Sequence, residues 1–444
     1  MEHDLYIVSW NLTRRCNLQC PHCYLPARGN DSRAGRETAA ELNTNEALRL
    51  IDQIGLINPE ILLILSGGEP LLREDLWEIT ERASGKGMMV VVGSNGLLID
   101  DAAAFHLRQS GVSGVSISLD SVDPRIHERI RSVEGAWERA IRAIRICHDH
   151  GLAVQINTTV TQANYDEIPR LIPYSQTLGA KVFSPFFLIC TGRGENLTDI
   201  TPDQYEKMIS LVLEWQGNHN GMMIRTRCAP TFRRILYQSN PNSPLLKMDT
   251  GRCLAGLHYC RITPEGDVTP CPYIPLPVGN VKKTSLKELW IESSAFARFR
   301  NPPLKGKCRV CEFKLLCGGC RARALTYHHD CWEEDPWCSY RPGGGEIIKP
   351  PTIHPPSLSS SLVGRPKPLW SASAEERLKR VPFFVRSMVR GAVEKYALEN
   401  HCIEITPKIM EAVKNKMGQG GSVGHPRGLN NGESFRFNDP EEPR

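Results

Sequence analysis

Apolar and polar positions follow two alternating rhythms over the first 190 or so residues. Strand-like runs fall at Leu5–Trp10, Ile61–Leu65, Met88–Val92, Val112–Leu119, Val154–Val160 and Val182–Leu188. Of these runs, Ile61–Leu65 is continuously apolar, the pattern of a strand covered on both faces. Between them lie stretches of helical period at Ala47–Ile54, Glu74–Ser84, Asp101–Ser110, Trp137–His150 and Tyr165–Leu178. Asn43 and Glu46 form a capping-box pattern before the first helix, and Gly151 closes the fourth. The alternation predicts an α/β domain of parallel strands with right-handed crossovers over residues 1–200. Six units fit either an open doubly wound sheet or a partial (β/α)6 barrel. The chemically marked loops all follow strands, where barrel active sites gather, and this favours the barrel.

The rhythm then changes. Residues 201–340 begin with a helix at Asp203–Trp215 and a basic connection containing Arg225, Arg227, Arg233 and Arg234. From residue 251 the chain is dense in cysteine, glycine and proline, so metals must organise it more than an apolar core. Residues 341–368 are rich in proline, glycine and serine and read as a linker. A small helical module is expected over 369–418, with two amphipathic helices around Val381-Pro382-Phe383-Phe384. The polar stretch 419–444 reads as a disordered tail.

Composition narrows the classes. With 41% hydrophobic and 23% charged residues the chain is globular, and a diffuse net charge of +5 gives no nucleic-acid face. No apolar run approaches the ~18 residues that cross a bilayer. The opening MEHDLYIVSW lacks the basic start and long apolar run of a secretory signal. Sixteen cysteines, mostly clustered, then read as metal or redox sites in a reducing cytoplasm.

Cys16, Cys20 and Cys23 are spaced C-x3-C-x2-C within WNLTRRCNLQCPHCYL. Three thiolates on one loop can hold three corners of a [4Fe–4S] cube and leave the fourth iron open to a small molecule, whereas electron-carrying clusters take four. With His22 the same cysteines also make a Cys₃His zinc set. Downstream stand Cys253, Cys260, Cys271, then Cys308-x2-Cys311-x5-Cys317-x2-Cys320, and Cys338. Eight thiols suffice for two cubes, and paired zinc sites fit the C-x2-C spacings too. Cys147, Cys190, Cys228 and Cys402 are isolated and read as buried packing.

Other candidates follow the strands. SGGEP contains Gly67, Gly68 and Glu69: glycines admit close backbone approach to a ligand, and the carboxylate suits an ammonium group. Ser94 and Asn95 end the third strand. Ser118 and Asp120 end the fourth, where either also reads as a helix cap. Asn157 lies in the fifth strand. Arg193, in Thr191-Gly192-Arg193-Gly194 after the sixth, offers a fork for a carboxylate or sits in a solvated turn.

Together these motifs resemble the radical SAM enzymes with a SPASM-type auxiliary domain. The resemblance implies that Cys16, Cys20 and Cys23 hold a [4Fe–4S] cluster whose open iron binds S-adenosylmethionine, cleaved reductively to a 5′-deoxyadenosyl radical. It implies cofactor contacts from Gly67, Gly68, Glu69, Ser94, Asn95, Ser118, Asp120 and Asn157, with Arg193 on a carboxylate of cofactor or substrate. By analogy Cys253, Cys260, Cys271 and Cys320 hold one auxiliary [4Fe–4S] cluster. Cys308, Cys311, Cys317 and Cys338 hold another, with Cys331 competing for the last place. Many family members have three residues where CGGC has two.

WNLTRRCNLQCPHCY, TGRG, GDVTPCPY, CGGCRARA and EDPWC resemble the tetrapyrrole branch of that family, over about residues 5–340. Its members include heme synthases that decarboxylate propionates and enzymes of heme d1 synthesis. The implied partners are a tetrapyrrole substrate and an electron donor such as a ferredoxin or flavodoxin; Arg193, Arg225 and Arg227 are candidate partners for substrate carboxylates. The C-terminal module resembles the C-terminal domain of light-independent protochlorophyllide reductase, which known heme-pathway enzymes lack. A peptide-modifying maturase is the closest rival. It predicts a winged-helix segment ahead of the first strand, where four residues stand. A zinc-binding scaffold is the other.

Overall fold

A computed structural model describes residues 4–25, 27, 40–197, 199–218, 221–246, 252–350 and 368–379, with 381, 389–390, 392–394, 396–397, 400, 402 and 404–419. The chain forms two units, Met1–Lys367 and Pro368–Arg444. The disordered-tail expectation, most of the linker and Pro382-Phe383-Phe384 lie outside the described residues.

In the first unit six strands pair in chain order, all parallel: β1 (Ile7–Asn11), β2 (Leu62–Ser66), β3 (Met89–Ser94), β4 (Gly114–Ser118), β5 (Ala153–Val160) and β6 (Val182–Phe187). A doubly wound sheet reverses its strand order at a switch point. This order runs one way, so the fold is the partial (β/α)6 barrel. The predicted helices are present, the first running Thr44–Ile57 behind a complete Asn43/Glu46 capping box. Among the described barrel residues one α-helix escaped the periodicity: Pro124–Arg131, eight residues capped by Asp123.

The sheet continues past both ends of the barrel. β7 (Met223–Ile224) joins β6 in parallel, and β8 (Tyr259–Ile262) joins β1 in parallel. β9 (Asp267–Thr269) and β10 (Gly279–Asn280) follow antiparallel. The cysteine-rich region therefore starts as an extension of the barrel sheet; metals are not its only organiser.

Strand register sorts the side chains. Val8, Trp10, Leu63, Leu65, Val90, Val92, Val115, Ile117, Val154, Ile156 and Phe183 face the helices in the main core. The alternate positions face the barrel interior. At one end these are Ile7, Leu62, Met89 and Val91, a small apolar plug. Toward the strands' carboxyl ends they become Asn11, Ser66, Ser116, Ser118, Gln155, Asn157 and Ser184. An interior that turns polar at its carboxyl end is the place where barrel enzymes hold ligands.

The second unit was expected to be helical. Helices Ala372–Lys379 and Pro407–Gln419 are present, and Leu369–Trp370 also pairs in parallel with Glu404–Ile405. Ala374, Leu378, Val393, Ala397, Ile405, Met410 and Val413 form its core.

Candidate active site

The three-cysteine loop leaves β1 and folds over the barrel's carboxyl end. Gly67 has φ 148°, a conformation side chains rarely allow, and a Cβ there would lie 2.7 Å from Thr13 O. A Cβ on Gly68 would lie 2.0 Å from Arg15 O. The Gly68 and Glu69 amides donate to the Thr13 and Arg15 carbonyls at 2.7 and 2.8 Å. The two glycines thus let the strand-β2 turn lie directly against the loop.

Glu69 is fully buried. Its carboxylate accepts from Ser94 Oγ (2.9 Å), the Asn95 amide (2.8 Å) and the Leu71 amide (3.3 Å). No described cation pairs with it, and burial pushes its carboxyl up to about 7. Asn95 Nδ2 also donates to Asn17 Oδ1 on the loop at 2.7 Å. Three predicted residues, Glu69, Ser94 and Asn95, therefore form one unit facing the thiols.

Burial raises the Cys16 thiol to about 12, and the charges of Glu69, Cys20 and Cys23 raise it further. Burial raises Cys23 as well. Such thiols ionise when cationic iron compensates them. His22 lies among Arg131, Asp120, Arg193 and His127, and burial with the nearby arginines depresses it to about 4. Among the described residues no three His, Cys, Asp or Glu side chains converge as a single-ion site.

Two expected cofactor contacts are engaged elsewhere. Asp120 is fully buried, with Oδ2 accepting from Arg131 Nε at 2.6 Å and Oδ1 from the Thr159 amide at 3.0 Å. Arg131 Nη1 lies 3.9 Å from Cys20 Sγ, so the pair sets a cation beside the loop. Asp120 is not a helix cap; Asp123 has that place. Arg193 grips the loop's backbone, donating to Cys20 O at 2.9 Å and Ala27 O at 2.5 Å. Ser118 and Asn157 are register partners on the inner wall. Near them Ser184 Oγ is buried without a hydrogen-bond partner among the described residues.

The downstream cysteines divide in two. Cys308, Cys311, Cys317 and Cys338 line one cavity together with Arg234, Lys307 and Lys314, cations that suit a thiolate-bound cluster. Cys320 and Cys271 instead pack with Ile274, Ala322 and Tyr273. Gly318 and Gly319, at φ 69° and 68°, make the turn that parts Cys317 from Cys320. Cys331 packs on the Cys320 side.

One expected cluster ligand is placed in the core. Cys260 lies on β8 opposite Val8 and is fully buried in the helix-facing core, because strand alternation turns its neighbours Tyr259 and Arg261 inward instead. Cys228, read as isolated, packs against Cys271 and Cys320.

Arg261 was also missed. It is 6% exposed on the inner wall, its Nε donates to Asn11 Oδ1 at 2.6 Å, and its guanidinium lies 5.9 Å from the Tyr24 ring. No described carboxylate pairs with it. Tyr24, next to Cys23, contacts Tyr273 edge-on at 5.1 Å, so the ring pair links the loop to the Cys271 side. Alternation from Cys260 was the available signal for Arg261.

A one-way parallel barrel whose first loop carries three thiols defines the radical SAM class of protein. Residues 10–172 match the radical SAM superfamily, residues 253–312 the iron–sulfur cluster-binding SPASM domain, and residues 370–414 the proto-chlorophyllide reductase 57 kD subunit. The AdoMet-dependent heme synthase of Methanosarcina barkeri is 36% identical over 76% of this chain and 97% of its own. The pre-heme d1 synthase of Dinoroseobacter shibae is 32% identical over 75% of this chain and 85% of its own. The structure of Streptococcus suis SuiB bound to S-adenosylmethionine shares the fold, with TM-score 0.61 and 19% identity over 76% of this chain and 78% of that one. The chain belongs to the radical SAM superfamily, in the SPASM-bearing branch that includes the tetrapyrrole enzymes. It is an enzyme whose radical SAM domain binds S-adenosylmethionine and a [4Fe–4S] cluster and whose SPASM domain binds further iron–sulfur clusters. Among the described residues no helix is long and apolar enough to cross a membrane.

Proposed function

We propose that the enzyme acts on a propionate side chain of a tetrapyrrole, by decarboxylation or oxidation, with two auxiliary [4Fe–4S] clusters relaying electrons. The observation that carries this reading is Arg261: a buried cation with no described acid partner, on the inner wall between the three-thiol loop and the Cys271 side. A buried guanidinium is costly without an anion, and a carboxylate matches its fork. The tyrosines around it, Tyr24, Tyr259 and Tyr273, give an aromatic wall suited to a flat macrocycle. The heme synthase relative points to the same substrate class.

The chain's own tasks are holding and orienting. Cys16, Cys20 and Cys23 would hold the cluster, and Arg193 fixes their loop. Glu69, placed by the Gly67–Gly68 turn and oriented by Ser94 and Asn95, would take the cofactor's ammonium. Ser118, Asn157 and Ser184 would line the rest of the cofactor pocket. When bound, the cluster and S-adenosylmethionine supply a primary carbon radical. Cys308, Cys311, Cys317 and Cys338 would hold the outer relay cluster, and a ferredoxin or flavodoxin would be the donor.

The deciding experiment incubates reduced protein with S-adenosylmethionine and either propionate-bearing tetrapyrroles or candidate peptides. A tetrapyrrole should raise 5′-deoxyadenosine well above background with loss of mass from the macrocycle. Stimulation by a peptide alone would overturn the reading. Within it, Arg261→Met should raise KM for the tetrapyrrole about tenfold or more, the value of a charge-assisted hydrogen bond, with basal cofactor cleavage unchanged. An unchanged KM would remove Arg261 from substrate binding.

A further inference from the structure

We propose that Cys228, rather than Cys260, completes the thiolate set of the first auxiliary iron–sulfur site, with Cys253, Cys271 and Cys320. The backbone brings Cys228 to the others. The Arg225 and Arg227 amides donate to the Phe183 and Pro185 carbonyls at 2.9 and 2.8 Å, laying this segment along β6. The chain then turns at Cys228, with φ 58°, a left-handed conformation that non-glycine residues hold only under constraint.

The constraint is a fully buried ion pair. Arg323 Nη2 donates to Cys228 O at 3.1 Å, and Arg323 Nη1 lies 3.4 Å from Asp335 Oδ2. The same Asp335 oxygen accepts the Cys320 amide at 2.8 Å. One pair of charges thus fixes the backbones of Cys228 and Cys320 together. Cys228, Cys271 and Cys320 share one packed cluster with Tyr273 and Ile274. Burial raises all four thiols, and Cys228, Cys253, Cys271 and Cys320 act electrostatically on one another. Cys260 differs: burial alone raises it, and it lies in the apolar helix-facing core. A ligand set drawn partly from the β6 edge also ties the barrel to the cluster domain.

The test uses the full chain purified anaerobically with Cys16, Cys20 and Cys23 all changed to Ala, so that only the downstream sites report. Cys228→Ser should lower iron and sulfide by up to one cluster's complement, or shift the reduced-state EPR signal where serine oxygen substitutes. Cys260→Val should leave iron, sulfide and EPR as in the parent. Unchanged content and spectra in Cys228→Ser, or an equal change in Cys260→Val, would overturn the proposal. Alkylation mapping of the unmutated protein gives a second reading if the serine variant folds poorly. Cys228 should be protected while loaded and labelled after iron chelation; equal labelling in both states would also overturn it. The inference rests on the family's iron–sulfur cofactors and is read without substrate, so its failure and that of the tetrapyrrole reading are separate results.

Discussion

Glu69→Gln should weaken S-adenosylmethionine binding about 10- to 100-fold while leaving iron and sulfide content unchanged. The carboxylate is fully buried with no described cation, and its three hydrogen bonds come from neutral donors. They aim it without neutralising it, so the cofactor's ammonium would be its first positive partner. Hydrogen bonds to charged groups contribute about 1.5–3 kcal/mol, which is about one to two decades in affinity. Glutamine keeps the shape and loses the charge. Burial holds the Glu69 carboxyl near 7, so acid converts it to the form that glutamine imitates. Affinity of the parent protein should fall below pH 7 by up to about tenfold per unit and approach that of the variant, whose own profile stays flatter. Anaerobic equilibrium binding between pH 5.5 and 8 measures both. Equal affinities at pH 8 would remove Glu69 from the ammonium site.

The barrel was legible because its strands are covered on both faces, which leaves continuous apolar runs such as Ile61–Leu65 and Met88–Val92. Helix Pro124–Arg131 was hidden because its buried positions are His127, Ile130 and Arg131, so charge masks the periodicity. The sheet extension was hidden for another reason. β7 and β10 are two-residue strands whose pairing depends on distant partners, which local pattern does not carry.

Spacing made the thiols visible as clusters and, under the ligand set proposed above, misleads at one position. Cys260 stands between Cys253 and Cys271 in the chain, yet a strand turns alternate residues to opposite faces, and register with Val8 sends this one into the core. Cys228 has no neighbouring cysteine in the sequence. It is tied to the Cys320 backbone through the Arg323–Asp335 pair, a bridge across distant parts of the chain that no short motif records. Arg193 and Asp120 show the same limit: their types were informative, but tertiary partners, the loop backbone and Arg131, decide what they hold.

Arg323→Met should therefore cost far more than an ordinary buried substitution, about 3–5 kcal/mol of stability, because it leaves Asp335 charged and unpaired in the interior. Its guanidinium also lies 3.9 Å from the Trp337 ring and 5.0 Å from that of Tyr205, contacts that methionine replaces only in part. The double variant Arg323→Met/Asp335→Leu should regain much of the lost stability, since an apolar pair can replace a buried ion pair without leaving a lone charge. Cofactor loading separates the two roles of the pair. The double variant lacks both the donor to Cys228 O and the acceptor for the Cys320 amide, so it should still bind less iron at the first auxiliary site. Anaerobic calorimetry and iron analysis of both variants read these effects independently. Recovery of thermal stability without recovery of iron would show that the pair exists to place two thiols. Full recovery of both would reduce it to a packing element.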